Sequence, residues 1–204
     1  MSKVVALMSM SLDGFVADPD DGVDEVFAWY FAGDVEVVTA DPRFTFRVSA
    51  PSAEHLRALQ DEIGAMLTGR RTFEKAGGWG GQHPWGIPAF VITSELPAGW
   101  PKPESQVYFV TDGIETAVAQ AREAAGGKSV GVHGGQTIST LMNAGLLDEI
   151  HVDLATVLLG SGVPLFAELK NTPMVLGDPT VVVGAGVTHL RYRVFASTHK
   201  PGTR

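Results

Sequence analysis

Apolar residues fall along the chain in short runs, and these runs alternate with segments whose apolar residues recur every three or four positions. Short runs rich in β-branched residues are typical of strands, whereas the longer period is typical of helices. Because the two kinds of segment alternate, we expect a three-layer α/β/α fold with a mostly parallel twisted sheet covered on both faces. Strands are predicted at 4–11, 65–69, 89–94, 106–111, 129–135 and 148–158, and helices at 51–64, 70–77, 114–127 and 136–145.

Two further segments predict antiparallel hairpins. Residues 35–40 and 44–49 alternate apolar and polar positions on either side of Asp-Pro-Arg, and 177–195 reads as a closing C-terminal hairpin around an Ala-Gly turn. The helix predicted at 51–64 begins near Ser52, whose hydroxyl we expect to cap it. No internal repeat or low-complexity linker interrupts the sequence, so a single domain over 1–204 is predicted.

Composition excludes several classes of function. The 204 residues include no cysteine, which excludes disulfides, zinc–thiolate sites and iron–sulfur clusters. A formal net charge of −8 without a basic block argues against binding to nucleic acid. No apolar run has the length of a membrane span, and the N-terminus reads as the first buried strand of a cytoplasmic protein. The six histidines include no pair at the helical spacing of a metal site, so we expect no metal.

Two arginines, Arg70 and Arg71, follow Gly69 at the carboxyl end of a predicted strand, where ligands bind in sheets of this kind. A helix begins there with unpaired N–H groups, glycine lets a ligand approach the backbone, and Thr72 offers a hydroxyl. Guanidinium groups match phosphate oxygens, so the junction predicts a phosphate site. The alternative is that both arginines are solvated and pair with Glu74 or another carboxylate.

A second strand–helix junction has the same character. Gly134 and Gly135 separate a strand from a helix that begins with Gln136 and Thr137, and Ile-Thr-Ser at 92–94 adds hydroxyls at a third strand end. Two such junctions could hold the pyrophosphate of a dinucleotide, although a tight turn and close helix–sheet packing would also explain the glycines. The sequence contains neither the G-x-G-x-x-G fingerprint nor the Walker A lysine.

Asp13 and His133 are the candidate polar groups on the substrate side. Asp13 directly follows the first strand and is either a carboxylate that contacts substrate, together with Ser11, or an ordinary Asp-Gly turn residue. His133 precedes the glycine pair and is either a proton donor near neutral pH or a core histidine bonded to backbone. Trp79 and Trp85, in a glycine-rich loop, form either an aromatic wall of the site or ordinary packing.

Five segments together resemble the dihydrofolate-reductase-like reductases, and most closely the RibD C-terminal branch, which includes the reductase of riboflavin biosynthesis. They span nearly the whole chain, and the longest of them, residues 132–166, is the most specific. The segments are SLDGFVA (11–17), LTGRRTFE (67–74), FVITS (90–94), VHGGQTISTLMNAGLLDEIHVDLATVLLGSGVPLF (132–166) and THLRYRV (188–194).

The resemblance implies an NADPH-dependent reductase, usually a homodimer, that transfers a hydride to a small pyrimidine- or pterin-like heterocycle. The named activities it is similar to are 5-amino-6-(5-phosphoribosylamino)uracil reductase and dihydrofolate reductase. It implies a cofactor site with phosphates at Gly69, Arg70, Arg71 and Thr72, the adenosine side at Thr93 and Ser94, the pyrophosphate and ribose at Gly134, Gly135, Gln136, Thr137 and Ile138, and the nicotinamide end at Ala6 and Ser11.

Two departures from that family pattern bear on the substrate. His133 stands where the riboflavin reductases commonly carry a glutamate that contacts substrate, and the segment around 20–51 is an insertion unlike theirs. The alternative function is an NADP(H)-binding sensor, or a degenerate reductase without turnover.

Overall fold

The fold is built on an eight-stranded sheet, seen here in a computed structural model that describes residues 2–195. In chain order the strands are β1 (Val4–Met10), β2 (Phe15–Ala17), β3 (Val35–Val37), β4 (Phe46–Val48), β5 (Ile63–Gly69), β6 (Ala89–Ile92), β7 (Val107–Val110), β8 (Ser129–His133), β9 (Glu149–Ala155), β10 (Val163–Pro164), β11 (Thr180–Gly184) and β12 (Val187–Arg193). The helices are α1 (Asp24–Phe27), α2 (Ala50–Glu62), α3 (Arg70–Lys75), α4 (Ile114–Ala124) and α5 (Gly135–Asn143), with two 3-10 helices at Ala28–Phe31 and Gly77–Gly81.

The strand order is β11-β12-β9-β1-β8-β5-β6-β7. The six strands from β9 to β7 run parallel, and β12 and β11 continue the β9 edge in antiparallel pairing. The mostly parallel sheet with a C-terminal antiparallel hairpin is therefore confirmed. The carboxyl ends of β1, β5, β6, β8 and β9 consequently meet at one edge of the sheet, where ligands bind in this architecture.

Alternate residues of the buried strands face two different helical layers. One layer contains α4 and α5, and it packs against an apolar cluster that includes Val4, Leu67 and Ile138. The other contains α2 and α3, which pack against Val5 and Met66 on the opposite face. Complete burial of a side chain such as Ile138, which is 0% exposed, contributes about 1.5–3 kcal/mol. Within residues 2–195, no helix is long and apolar enough to cross a membrane.

The segment around 20–51 builds a third apolar cluster over the β9–β12 side of the sheet. It forms α1, the first 3-10 helix and an antiparallel β3–β4 hairpin, so the predicted hairpin is confirmed. Trp29, Val37 and Val48 pack here against Leu56 of α2. The sequence did not predict α1, because its single turn carries no repeat of apolar positions.

The expected helix cap at Ser52 is wrong. The N-cap residue is Ser49, helix α2 begins at Ala50, and neither serine caps the helix with a side-chain hydrogen bond. Ser52 lies inside the first turn and is 1% exposed. Its hydroxyl instead forms a hydrogen bond with Nε2 of His189, at 2.9 Å. The hydroxyl that local sequence predicts as a helix cap is therefore used in a tertiary hydrogen bond to His189.

The glycine- and tryptophan-rich loop contributes mainly to packing. Trp79 is 9% exposed and belongs to the cluster beneath α3, with its ring edge-to-face with Phe73 at 6.3 Å. Trp85 packs edge-to-face against His83, with ring centroids 5.9 Å apart. These contacts favour the packing interpretation of both tryptophans.

Candidate functional site

The two glycine junctions that the sequence singles out are in direct contact. They follow the neighbouring strands β5 and β8, which pair in parallel with Thr68 opposite His133. A Cβ atom placed on Gly69 would lie 2.7 Å from Oγ1 of Thr137, and one placed on Gly134 would lie 2.6 Å from Oγ1 of Thr72. Each junction therefore places its threonine hydroxyl beside the glycine of the other, and together they form one polar surface at the ligand-binding edge.

Helix α5 starts at this surface without a side-chain cap. Its N-cap residue, Gly134, has φ 94°, a left-handed conformation that glycine adopts without steric cost. Gln136 is exposed, whereas Thr137 and Ile138 are buried against the sheet. The first N–H groups of a helix lack intrahelical partners, and the helix dipole makes this end positive, so the junction suits an anion.

Arg70 ties helix α3 to the end of β6. Its Nε donates to Oε1 of Glu74 at 2.5 Å, and its Nη1 donates to the carbonyl oxygen of Glu95 at 3.0 Å and to Oγ1 of Thr93 at 3.4 Å. Thr93 itself is buried, and the neighbouring Ser94 is exposed. The third strand end of the predicted site therefore lies beside the other two.

Arg71 is paired with a carboxylate from the loop after β2. Its guanidinium lies 2.5 Å from Asp21, and the ammonium of Lys75 lies 2.8 Å from the other oxygen of Asp21. The hydrogen bond from Lys75, followed by that from Arg71, lowers the pKa of Asp21 in spite of partial desolvation. The carboxylate pairing that the sequence left open as an alternative is thus present for Arg71, as it is for Arg70. An incoming phosphate would compete with these carboxylates.

Two residues assigned to the nicotinamide end differ in position. Ser11 lies just beyond β1; it is 0% exposed, and its hydroxyl donates to Oδ1 of Asp13 at 2.6 Å. Ala6 lies in the middle of β1, paired with Val132 and Ile150 and buried in the core. The structure therefore brings Ser11 to the ligand-binding edge and leaves Ala6 four residues short of the end of β1.

Asp13 holds a loop in place. Its two oxygens accept hydrogen bonds from the backbone N–H groups of Leu159 and Gly160, at 3.1 and 2.6 Å, and from Ser11. The Ser11 hydroxyl is the largest influence that lowers the pKa of Asp13, and the two backbone donors add to it. A carboxylate that accepts three hydrogen bonds is poorly suited to donating a proton. These contacts favour the turn interpretation over the catalytic one.

His133 is a neutral imidazole at physiological pH. Burial lowers its pKa to about 4, only partly offset by the negative charge of Asp153. Its ring lies 6.0 Å from that of His83. In the neutral form one ring nitrogen still donates a hydrogen bond and the other accepts one, so His133 can orient a polar ligand without supplying a proton as imidazolium.

A row of buried polar residues beside this edge escaped the sequence prediction. Ser9, Asp153 and His189 stand opposite one another on β1, β9 and β12. Nδ1 of His189 lies 2.6 Å from Oδ1 of Asp153, and the indole N–H of Trp29 donates to Oγ of Ser9 at 3.0 Å. The available signal was the strand sequence EIHVDLA, in which three alternate residues, Glu149, His151 and Asp153, are ionisable although most of the strand is buried.

Stacked aromatic rings border this row. Tyr30 lies between Trp29 and Phe46, with centroid distances of 3.9 and 4.4 Å. Burial, and then the charge of Asp153, raises the pKa of Tyr30 far above its ordinary value, so its hydroxyl stays protonated. The segment around 20–51 therefore contributes a wall of stacked aromatic rings next to Asp153.

Comparison with known proteins agrees with this architecture. The family model described as the RibD C-terminal domain matches residues 2–194. The crystal structure of a protein from Shewanella sp. PV-4, described as a riboflavin biosynthesis protein, is 25% identical and covers 96% of this chain and 99% of its own, with a TM-score of 0.68. Protein YwjB of Bacillus subtilis is 23% identical over 171 residues, which is 83% of this chain and 85% of YwjB.

A dihydrofolate reductase shares the fold as well. The enzyme from Enterococcus faecalis, solved with NADP(H), is 15% identical over 94% of this chain and 96% of its own, with a TM-score of 0.56. The dihydrofolate-reductase-like fold expected from the sequence is confirmed, and the family match supports an oxidoreductase of the reductase class.

Proposed function

Because the chain belongs to the family of RibD C-terminal domains, we propose that it is an NADPH-dependent reductase that transfers a hydride to a small pyrimidine- or pterin-like heterocycle. The observation that carries the proposal is the contact between the two glycine junctions, Gly69 with Thr137 and Gly134 with Thr72. Contact between two anion-suited backbone ends, at the edge where sheets of this kind bind ligands, supports a site for a ligand with more than one phosphate.

The residues at this edge suit the cofactor. In the proposed assignment Gly69 and Thr72 contact the phosphate at the adenosine end, Arg70 or Arg71 pairs with the 2′-phosphate, and Thr93 and Ser94 lie along the adenosine. Gly134 to Ile138 hold the pyrophosphate and the adjoining ribose, and Ser11 faces the nicotinamide. When bound, NADPH supplies the hydride.

The chain itself supplies positioning and electrostatics. Neutral His133 orients the reacting heterocycle by a hydrogen bond, while Asp13 keeps the loop at Leu159 and Gly160 against the end of β1. Tyr30 and its stacked neighbours offer a flat apolar wall that suits a planar ring.

The contacts of Arg71 provide the test of the cofactor site. The variant Arg71→Gln removes a charge-assisted phosphate contact, which is worth roughly 10- to 100-fold in affinity. The variant Asp21→Asn keeps the shape of the partner, and asparagine tolerates the left-handed conformation of this residue, φ 67°. It should tighten NADPH binding, because the guanidinium no longer has a competing carboxylate. Affinity is measured by isothermal titration calorimetry with NADPH and with NADH.

A matched control is available in Arg43, an exposed arginine that pairs with Asp41 at 2.5 Å and is not one of the residues assigned to the cofactor. Arg43→Gln should leave NADPH affinity unchanged. Equal effects of Arg71→Gln and Arg43→Gln, or equal affinity for NADPH and NADH, would contradict the proposed phosphate site.

Turnover separates the reductase from the sensor. Oxidation of NADPH is followed by absorbance with a panel of pterins, aminopyrimidines and other conjugated heterocycles. Oxidation that depends on one of these compounds supports the reductase. Selective NADPH binding without oxidation across the panel would favour the alternative, a sensor or degenerate reductase.

A further inference from the structure

Three potential metal ligands converge on the β9–β12 side of the sheet, although no two histidines have the helical spacing of a metal site. They are His55 from α2, Asp153 from β9 and His189 from β12, and one ligand atom from each lies within 4.8 Å of the other two. Nδ1 of His189 lies 2.6 Å from Oδ1 of Asp153, and Nε2 of His55 lies 3.3 Å from the same oxygen. The two imidazole rings stack with their centroids 4.0 Å apart.

The contacts within this cluster also resemble those of a serine hydrolase, but burial argues against nucleophilic catalysis. Nε2 of His189 lies 2.9 Å from Oγ of Ser52, which completes a Ser-His-Asp chain. Ser52 is 1% exposed, and the backbone of Gly184 lies directly against its hydroxyl. A substrate carbonyl has no room to reach that oxygen.

We propose that His55, Asp153 and His189 form a binding site for a divalent first-row transition metal ion, with Zn²⁺ as the best fit. Two imidazoles and one carboxylate are borderline ligands that suit Zn²⁺ in a tetrahedral arrangement. An independent observation points to a missing ligand: Nε2 of His55 is buried and has no hydrogen-bond partner among the described residues, although it faces Asp153. Such orphaned buried nitrogens are uncommon in folded proteins.

Binding requires the ligands to move. The ligand nitrogens of the two stacked imidazoles lie within 4.8 Å of each other, so they would close by up to about 1.5 Å as the rings tilt toward a shared ion. At Zn–N and Zn–O bonds of about 2.0–2.1 Å, two ligands of a tetrahedral ion lie about 3.3 Å apart. The distance from His55 to Asp153, 3.3 Å, already has this value. The distance from His189 to Asp153 is 2.6 Å, the length of a hydrogen bond, and would open by about 0.7 Å when the ion replaces the shared proton.

The second ring nitrogen of His189 has the support that a metal ligand needs. Metal-bound histidines usually donate their other N–H to a fixed acceptor. Ser52 can be that acceptor, since its hydroxyl can rotate and donate to Oγ of Ser49, 3.0 Å away. The same hydroxyl can instead donate to Nε2 when His189 gives its Nδ1 proton to Asp153, so the network is satisfied with or without the ion.

A cleft of about 130 Å³ between α2 and β12 provides access. It is lined by both imidazoles of the cluster, His55 and His189, and by His151, Glu62 and Arg191. An ion bound here would fasten α2 to two strands of the sheet, next to the aromatic wall. This proposal does not depend on the reductase assignment, because metal binding is measured without cofactor or substrate.

The experiment is a metal titration of the untagged protein after treatment with a chelator. Co²⁺ is titrated while its visible absorption is recorded, and Zn²⁺ affinity is obtained by competition with a chromophoric chelator. We expect one ion per chain, with a Kd of about 1 μM or below. Saturating Zn²⁺, at about 100 times Kd, should raise the Tm by roughly 5–10 °C.

Variants locate the ion. His55→Gln removes one ligand without breaking a hydrogen bond at Nε2, and should weaken Zn²⁺ binding by about 100-fold or more. His151→Gln is the matched control, because His151 lines the same cleft but stands outside the cluster; it should leave the Kd unchanged. Asp153→Asn, checked for folding by circular dichroism, should weaken Zn²⁺ binding by at least as much as His55→Gln.

Two results would overturn the proposal. One is the absence of stoichiometric Co²⁺ or Zn²⁺ binding to the folded wild-type protein. The other is equal weakening by His55→Gln and His151→Gln. Either would leave the cluster as a carboxylate that is hydrogen-bonded to His189, with the imidazole of His55 beside it.

Discussion

Acid should destabilise this protein through His83 in particular. His83 is 3% exposed and lies among aromatic rings, 5.2 Å from Trp79. Its Nδ1 accepts the backbone N–H of Trp85 at 3.2 Å, so the ring is held in a neutral form. Burial, and then the neighbouring His133, lowers the pKa of His83 to about 3. Protonation would place a positive charge in the core. It would also convert Nδ1 into an N–H group that faces the backbone N–H of Trp85.

The size of the effect follows from linkage between protonation and folding. In the unfolded chain the pKa of a histidine is near its ordinary value of 6.5, and in the folded protein it is about 3. The unfolded state therefore binds the proton more tightly, so stability is complete above about pH 6.5 and falls as the pH is lowered toward 3. Between pH 7.5 and 4.5 the unfolded histidine gains nearly a full proton and the folded one almost none, which costs about 3 kcal/mol.

The assay is unfolding in guanidinium chloride at a series of pH values, followed by tryptophan fluorescence. His83→Asn keeps an acceptor near the position of Nδ1 and removes the titrating group. For each protein we compare the loss of unfolding free energy between pH 7.5 and pH 4.5. This loss should be about 3 kcal/mol smaller in His83→Asn than in the wild type, whatever the absolute stability of the variant. Gln82→Ala, at the exposed neighbouring residue, should keep the wild-type pH dependence. Parallel curves for wild type and His83→Asn would refute the reasoning.

Three other substitutions test local features of the site. Gly135→Ala would place a Cβ atom 2.5 Å from the carbonyl oxygen of Pro164, so it should cost about 1–3 kcal/mol, seen as a lower Tm. Trp29→Phe leaves the Ser9 hydroxyl without its buried indole donor and should cost about 1–3 kcal/mol in chemical denaturation, whereas a loss below the error of the measurement would remove that bond from the account. Asp13→Asn replaces one acceptor oxygen by an amide N–H₂ group that faces one of the two backbone donors, Leu159 or Gly160, so it should speed limited proteolysis of the loop at 158–160 while NADPH affinity stays unchanged; altered affinity with an unchanged loop would contradict the structural role.

The strands of the sheet could be predicted because each is marked by residues that are close together in the sequence. β1 and β5 are continuous apolar runs, and glycine and proline mark most of the turns, so the sequence predicted most of the order of elements found in the structure. The boundaries differ by a few residues. The β2–β10 pair was missed, because two- and three-residue strands carry no measurable period.

The candidate site was predictable only where its residues are close in sequence. Gly69 and Gly134 each stand at a strand–helix junction that the sequence marks by itself. The pairing of Arg71 with Asp21 brings together a helix and a distant loop, and only the fold determines it. The meeting of His55 with His189 likewise depends on how α2 lies across the antiparallel edge, which no spacing rule encodes.

The contact between the two junctions limits how either loop can change. A methyl group on Gly69, whose φ of −92° any residue can adopt, would meet only the hydroxyl of Thr137, so Gly69→Ala is sterically compatible with Thr137→Ala but not with the native threonine. Gly134 lacks this freedom, because its positive φ would strain a larger residue even if Thr72 were shortened. Engineering of the ligand preference at this edge must therefore change the two loops together. A compensated replacement is available at Gly69 but not at Gly134.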